Sequence, residues 1–282
     1  MKKKFSTILM LFAFASSVLF ASTDGIADDD FDDDDSPFHL SWLTDGLIAG
    51  TGLSLDIANI VLNKSFHLGQ KEFSGQIYDI QSVNPFDRAM MNSYSRGIDI
   101  TSDVFAVAMI ASPALLFCVP MKSWTTIGAM YAESLIWAFG IKEILKMTVG
   151  RVRPYMYYDD FPDYEVNKGD WNTSFPSGHT TYAFTAAAFS TYVFCAYFPD
   201  SAWRYAVGFS SYALAVTTAF LRVYSGCHFV TDVLAGAAIG TLCGLFIPFL
   251  HTLSDEKKGE IRVSDQVAVQ ISPLAIDFRV RL

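Results

Sequence analysis

Five apolar runs, each close to the length of a membrane-spanning helix, dominate this chain. Val104–Met121 has 18 residues without a charge, Tyr205–Leu221 has 17 and Val233–Leu250 has 18. Thr180–Pro199 is uncharged throughout, and Trp124–Ile141 carries Glu133 as its one charge. A helix on the surface of a soluble bundle would show a charged stripe, which these runs lack. Short turns, Pro120–Ser123 and Pro199–Arg204, join them in hairpins. The pattern predicts an all-α, polytopic membrane helical bundle. Gly46–Leu62 is a sixth candidate, with Asp56 in its middle and Gly46, Gly50 and Gly52 along it, so five or six spans are expected.

The flanking segments have a different character. Residues 1–21 carry Lys2, Lys3 and Lys4, an apolar stretch from Ile8 to Phe20 and a small residue at the end. That is the layout of a secretory signal peptide, or of an anchor helix if it is not cleaved. Residues 22–44 are an acidic linker in which seven aspartates fall between Asp28 and Asp35. Charges this dense repel one another and bury no apolar surface, so a solvated tether is expected. Without those seven aspartates the net charge of −9 becomes −2, so charge says little about partners, though the composition excludes a basic nucleic-acid binder. Cys118, Cys195, Cys227 and Cys243 show no ligand spacing and read as small hydrophobes. Residues 45–250 are then the helical domain. Residues 63–100 are polar and irregular, with a helix around Phe86–Arg96. The tail 251–282 alternates loosely at Val267, Val269 and Ile271, as a short strand or a disordered tail would.

Sidedness depends on the sixth candidate. With residue 22 outside, a spanning Gly46–Leu62 puts the 148–178 loop inside, and a non-spanning one puts it outside. In the second case Lys122, Arg204 and the Lys257–Lys258 pair fall inside, as the positive-inside rule prefers. The expected location is therefore the inner membrane of a bacterium, with the 148–178 loop on its outer face.

Three polar clusters lie between the runs. The first, Lys146 to Pro154 with Arg151 and Arg153, closes the helix that begins near Trp124. The second, Asn172 to His179, ends in Pro176-Ser177-Gly178-His179 just before an uncharged helix, with Ser177 placed as its N-cap. Free N–H groups at a helix start, beside a glycine, suit an anion. The third, Arg222 to Asp232, places His228 and Asp232 four residues apart, which on a helix is one face. A carboxylate there could hold one imidazole nitrogen's proton and leave the other nitrogen free to attack. An ionisable pair at a membrane helix end is costly, which favours a functional role.

Together the clusters resemble the type 2 phosphatidic acid phosphatase superfamily, which includes vanadium haloperoxidases and bacterial class A acid phosphatases. Its pattern is Lys-x6-Arg-Pro, then Pro-Ser-Gly-His, then Ser-Arg-x5-His-x3-Asp. Lys146 to Pro154 matches the first, Pro176 to His179 the second, and Arg222, His228 and Asp232 the third; Leu221 replaces the serine. The resemblance covers roughly residues 100–250.

The resemblance implies a membrane phosphatase acting on a lipid phosphate monoester or pyrophosphate, without metal or other cofactor, through a phosphohistidine. His228 would attack phosphorus, Asp232 would fix its tautomer, and His179 would protonate the leaving oxygen and then activate water. Lys146, Arg153 and Arg222 would hold the phosphate oxygens, with Ser177 and the Gly178 N–H completing the cradle. Arg151 faces away from Arg153 in an extended strand and is left out. The partners implied are the lipid phosphate and membrane lipids. The same cradle would serve a vanadate-dependent haloperoxidase, and a non-enzymatic phospholipid-binding membrane protein could keep the fold. The loop Tyr155–Phe175 would set Tyr155, Tyr157 and Tyr158 in the headgroup layer or act as a solvated lid, with Asp159, Asp160, Asp163 and Glu165 near the pocket if the loop borders it.

Overall fold

The computed structural model describes residues 36–66, 72–255, 260–264, 267–272 and 275–280. The expected signal peptide and nearly all of the acidic linker's charge lie outside the described residues. Six long helices follow: α1 (Trp42–Phe66), α2 (Arg96–Ala111), α3 (Trp124–Val149), α4 (Gly178–Tyr197), α5 (Trp203–Tyr224) and α6 (Val230–Leu253). Every apolar run of the sequence forms a helix. Pro113 has no N–H to give Met109, so α2 tightens into a 3₁₀ turn over Ser112–Cys118. Ser112 satisfies the Met109 carbonyl instead, through both its N–H and its hydroxyl.

Helix α4 is the centre of the bundle and packs most extensively on α6 and α5, and also on α2 and α3. Its interior is built of small side chains: Thr180, Thr181, Ala183, Thr185, Ala186 and Ala187 are all fully buried. Facing them, α6 presents Gly236, Gly240 and Gly244, one turn apart. A Cβ at Gly240 would stand 2.1 Å from the Thr181 carbonyl oxygen, and one at Gly244 would stand 2.4 Å from that of Thr185. The backbones of α4 and α6 touch because no side chain separates them, as in small-residue packing between membrane helices. The outer surface shows the reverse. Val104, Val107, Phe209, Val216, Phe220, Leu242 and Phe246 lie exposed. Small residues inside and large apolar ones outside is the arrangement for a lipid solvent, and it excludes the soluble bundle.

Among the described residues four helices are long and apolar enough to cross a membrane: Thr44–Lys64, Arg96–Leu116, Trp203–Tyr224 and Val230–Thr252. The expectation of five or six spans counted α3 and α4 as well. Both form, but α3 carries Glu133, Lys142, Glu143 and Lys146, and α4 is mostly alanine, threonine, serine and aromatics. They face protein more than lipid. Helix α1 lies on α3, where Trp137 Nε1 donates to the Ile48 carbonyl (3.0 Å) and Asn59 Nδ2 donates to that of Gly140 (2.9 Å).

Helix α6 starts beside the motif clusters and ends beside His39, whose N–H donates to the His251 carbonyl (3.1 Å). Residues 37–41 and the motif clusters therefore sit at opposite ends of the bundle. An exported residue 22 and an outward-facing 148–178 loop are then incompatible once α1 crosses.

Two segments differ from expectation. The helix foreseen around Phe86–Arg96 is a short turn, Pro85–Arg88, capped by Asn84; Arg96 begins α2 instead. The tail forms an antiparallel meander of β1 (Ser254–Asp255), β2 (Glu260–Ser264), β3 (Val267–Ser272) and β4 (Ala275–Val280). The alternation at Val267, Val269 and Ile271 marks its third strand.

Gly240→Ala should lower the melting temperature in detergent by several degrees, since overpacking costs about 1–3 kcal/mol. Gly46→Ala in α1, where an added Cβ meets nothing within 4 Å, should not lower it. Equal melting temperatures for both would refute the close α4–α6 contact.

Candidate active site

The three clusters converge at one end of the bundle, and each is positioned by a local backbone device. Gly150, left-handed at φ +57°, ends α3 with its N–H on the Lys146 carbonyl (3.2 Å). The chain then runs extended through Arg153 into the turn begun by Pro154. Between α5 and α6 the turn needs Gly226, at φ +76°, where a Cβ would meet the Ser93 carbonyl oxygen at 2.5 Å. That turn is clamped from both sides, by Ser95 N–H on the Ser225 carbonyl (3.0 Å) and Tyr155 N–H on that of Gly226 (3.1 Å).

His228 lies in this turn, 2% exposed, just before α6 rather than on it. Its Nδ1 sits 2.7 Å from the Ser174 carbonyl oxygen. A carbonyl can only accept, so Nδ1 carries the proton and Nε2 keeps its lone pair. Arg153 Nη1 lies 3.5 Å from Nε2. This corrects the expectation for Asp232. The two residues do not share a helical face, and Asp232 Oδ2 is 3.7 Å from Nδ1, beyond a hydrogen bond. Asp232 acts one step back, accepting from the Ser174 hydroxyl (2.5 Å) and the Phe229 N–H (2.9 Å). It fixes the residue whose carbonyl fixes the histidine.

Arg153, Arg222 and Lys146 lie near enough to act on that ring electrostatically. Arg153 is buried, with Nε on the Asp170 carbonyl (2.8 Å) and Nη2 on the Asp170 carboxylate (3.0 Å). Arg222, also buried, donates from Nη1 to the Asp99 carboxylate and the Ser102 hydroxyl (2.7 Å), while its Nε has no hydrogen-bond partner. Lys146, near Asp170 and Arg153, has no hydrogen bond or ion pair among the described residues and is available to an anion. Ser177 is the N-cap residue of α4, as expected by position, but its hydroxyl makes no capping bond; it accepts from Thr180 Oγ1 (3.0 Å). The Ser177 N–H donates to the Asp232 carbonyl (3.1 Å), tying the second cluster to the third. Gly178 leaves room for the Lys142 stem, which lies 3.1 Å from where a Cβ would be. His179 Nε2 sits 3.0 Å from Asp103 Oδ1.

Burial, reinforced by Arg153, Arg222 and Lys146, holds the His228 imidazole well below the ordinary histidine range. Burial alone would raise the Asp170 carboxyl, but Arg153 and Lys146 outweigh it and keep it far below the usual carboxylate range. The site is thus a neutral nucleophile among fixed cations.

Several contributors went unrecognised in the sequence. Asp170 and Ser174 sit in the 155–175 loop, and Asp99 and Asp103 are one turn apart at the start of α2. That one-turn spacing of acids before an apolar run was the available signal. Arg151, which stands outside the cradle as expected, bridges Asp232 and Asp87 (2.7 Å to Asp87 Oδ2) and stacks over Phe229. The loop does not hang as a loose lid. Tyr155 and Trp171 are buried with Met156 and Val166 in a small core of their own, against Phe73, Tyr78 and Tyr94. Of the acids expected near the pocket, Glu165 pairs with Lys168 (2.8 Å).

Residues 127–254 match the PAP2 superfamily. A lipid A 1-phosphatase of Rhizobium etli is 34% identical over 42% of this chain and 47% of its own. Phosphatidylglycerophosphatase B of Bacillus subtilis is 35% identical over 42% and 52%. The chain spans about half the length of these curated relatives. A crystal structure of a transmembrane PAP2 type phosphatidylglycerolphosphate phosphatase from Bacillus subtilis, 24% identical, covers 70% of this chain and 93% of that one at a TM-score of 0.39.

A histidine with depressed basicity stays neutral as the pH falls until its own low pKa is reached. In ¹⁵N-histidine spectra His228 should therefore remain the neutral Nδ1–H tautomer at pH 6. Protonation with a midpoint at or above 6.5 would contradict the site's electrostatics.

Proposed function

We propose that this PAP2 protein is a membrane phosphatase hydrolysing a lipid phosphate monoester or pyrophosphate through a phosphohistidine. One observation carries the reading: the free Nε2 of a buried, neutral His228 lies within a cradle of Lys146, Arg153 and Arg222. Nε2 attacks phosphorus, the bond from phosphorus to the lipid oxygen breaks, and His179 gives that oxygen a proton. Water then loses a proton to His179 and attacks the phosphohistidine. The P–N bond breaks, inorganic phosphate leaves and His228 returns to its neutral form. Throughout, Nδ1–H stays on the Ser174 carbonyl, and Asp232 offsets the positive charge that the ring acquires.

The cations meet charge that gathers on the non-bridging oxygens in the transition state, which preorganised donors stabilise strongly. The α4 N-terminus adds unpaired N–H groups at Gly178 and in its first turn. The lipid nature of the substrate is supported by a site at the helix-end layer of an apolar-faced bundle and by the lipid phosphates that the relatives' names carry.

In this reading all six helices cross the inner membrane of a bacterium and the site layer faces outside. Charge supports that placement, because Lys122 and Arg204 lie in the turns at the opposite end. It sets residues 37–41 on the inner side.

Purified full-length protein in detergent should release phosphate from at least one of a panel of lipid phosphates. His228→Ala should abolish release, and His179→Ala should lower it by about 10²–10⁴-fold. Undiminished release by His228→Ala would defeat the mechanism. A cysteine introduced at Asp159 should react with an impermeant thiol reagent in intact cells, and labelling only after lysis would reverse the sidedness.

A further inference from the structure

At the end of the bundle opposite the phosphate cradle, three helices bring one imidazole and two carboxylates together. They are Asp45 in the first turn of α1, Glu133 in α3 and His251 in the last turn of α6. Their donor atoms all lie within 4.8 Å of one another. Twenty-odd residues of α6 separate His251 from His228, which at helical rise is about 30 Å or more, so this cluster takes no part in phosphate chemistry.

His251 is fully buried and Glu133 is 4% exposed. His251 Nδ1 faces the His39 carbonyl oxygen at 3.2 Å, and Nε2 faces Glu133 Oε2 at 2.8 Å. Asp45 Oδ1 lies 3.4 Å from Nδ1, is shut off from solvent, and receives no hydrogen bond from the described residues. The other Asp45 oxygen is taken by the Ser41 N–H.

Charge makes this arrangement incomplete. With both carboxyls ionised, the trio carries −1 beside a protonated imidazole and −2 beside a neutral one. Uncompensated charge in an apolar layer is costly. A divalent cation beside a neutral imidazole brings the sum to zero and gives Asp45 Oδ1 the positive partner it lacks.

We infer that Asp45, Glu133 and His251 form a binding site for a divalent transition-metal ion, of the kind zinc fills. His251 Nε2, Glu133 Oε2 and Asp45 Oδ1 are the ligands, and imidazole with carboxylate is a donor set that suits such ions. Nδ1–H donates to the His39 carbonyl, which fixes the tautomer and aims Nε2 at the metal, the arrangement common to metal-bound histidines. Donors bound to one ion at about 2.0–2.2 Å stand closer together than 4.8 Å, so the three side chains would draw in around it. The ion would pin the start of α1 and the end of α6 to the body of α3.

The test uses the full chain in detergent, stripped with chelator and titrated with ZnCl₂. Wild type should retain about one zinc per chain after desalting and should melt at a higher temperature with zinc than without it. Glu133→Gln and Asp45→Asn should each weaken retention at least about tenfold. Cobalt should give visible d–d absorption in wild type that fades in both variants. Asp45 is partly exposed, so Asp45→Asn keeps the test valid should the Glu133 or a His251 variant fail to fold. No retained zinc in wild type, or retention and cobalt absorption that Asp45→Asn leaves unchanged, would overturn the site.

Discussion

A fully buried carboxylate at a helix start must be surrounded by donors, and in this protein Asp232 gathers them from all three motif clusters. Arg151 comes from the segment after α3, Ser174 from the loop before α4, and the Phe229 N–H from its own turn. The Asp232 backbone carbonyl takes the Ser177 N–H as well. Breaking a buried charge pair costs about 3–5 kcal/mol, because the remaining partner stays buried without compensation. The consequence extends beyond stability. Ser174, held by its hydroxyl, offers its carbonyl to His228 and so determines which ring nitrogen is free. The tautomer of the histidine is set by a carboxylate that does not touch it.

That network can form only because two helices lie backbone to backbone. Gly236, Gly240 and Gly244 bring α6 onto α4, and the start of each helix then falls beside the other. With a bulkier seam the Ser177–Gly178 turn and the His228 turn would stand apart, and the cations would no longer share one anion. The large apolar side chains displaced from this seam lie on the outside of the bundle, where lipid solvates them.

Much of this was legible in the sequence, for identifiable reasons. Apolar runs of this length gave the helices, because such a run forms a helix whether lipid or protein covers it. Lys146, Arg153, Ser177, His179, Arg222 and His228 were assigned through the resemblance their motifs carry, and the fold brings their segments to one end of the bundle. Asp232 was found but given the wrong contact, since the spacing argument assumed a helix through residues 228–232 and α6 begins at Val230. Asp99, Asp103, Asp170 and Ser174 were missed because their roles depend on tertiary contacts with residues far along the chain. Four of the six helices have the composition of a span among the described residues; α3 carries charges and α4 is buried by protein, so composition alone does not mark them. Asp45, Glu133 and His251 come from three distant segments, and no local pattern links them.

The most direct test of the account is to trap the covalent intermediate. Enzyme mixed with ³²P-labelled lipid phosphate and quenched in alkali should carry label that is stable to base and labile to acid, as a phosphorus–nitrogen bond requires. Peptide mapping should place it on His228. Turnover without any trapped label, or label mapped to His179 or to a serine, would contradict the assignment of Nε2 of His228 as the nucleophile.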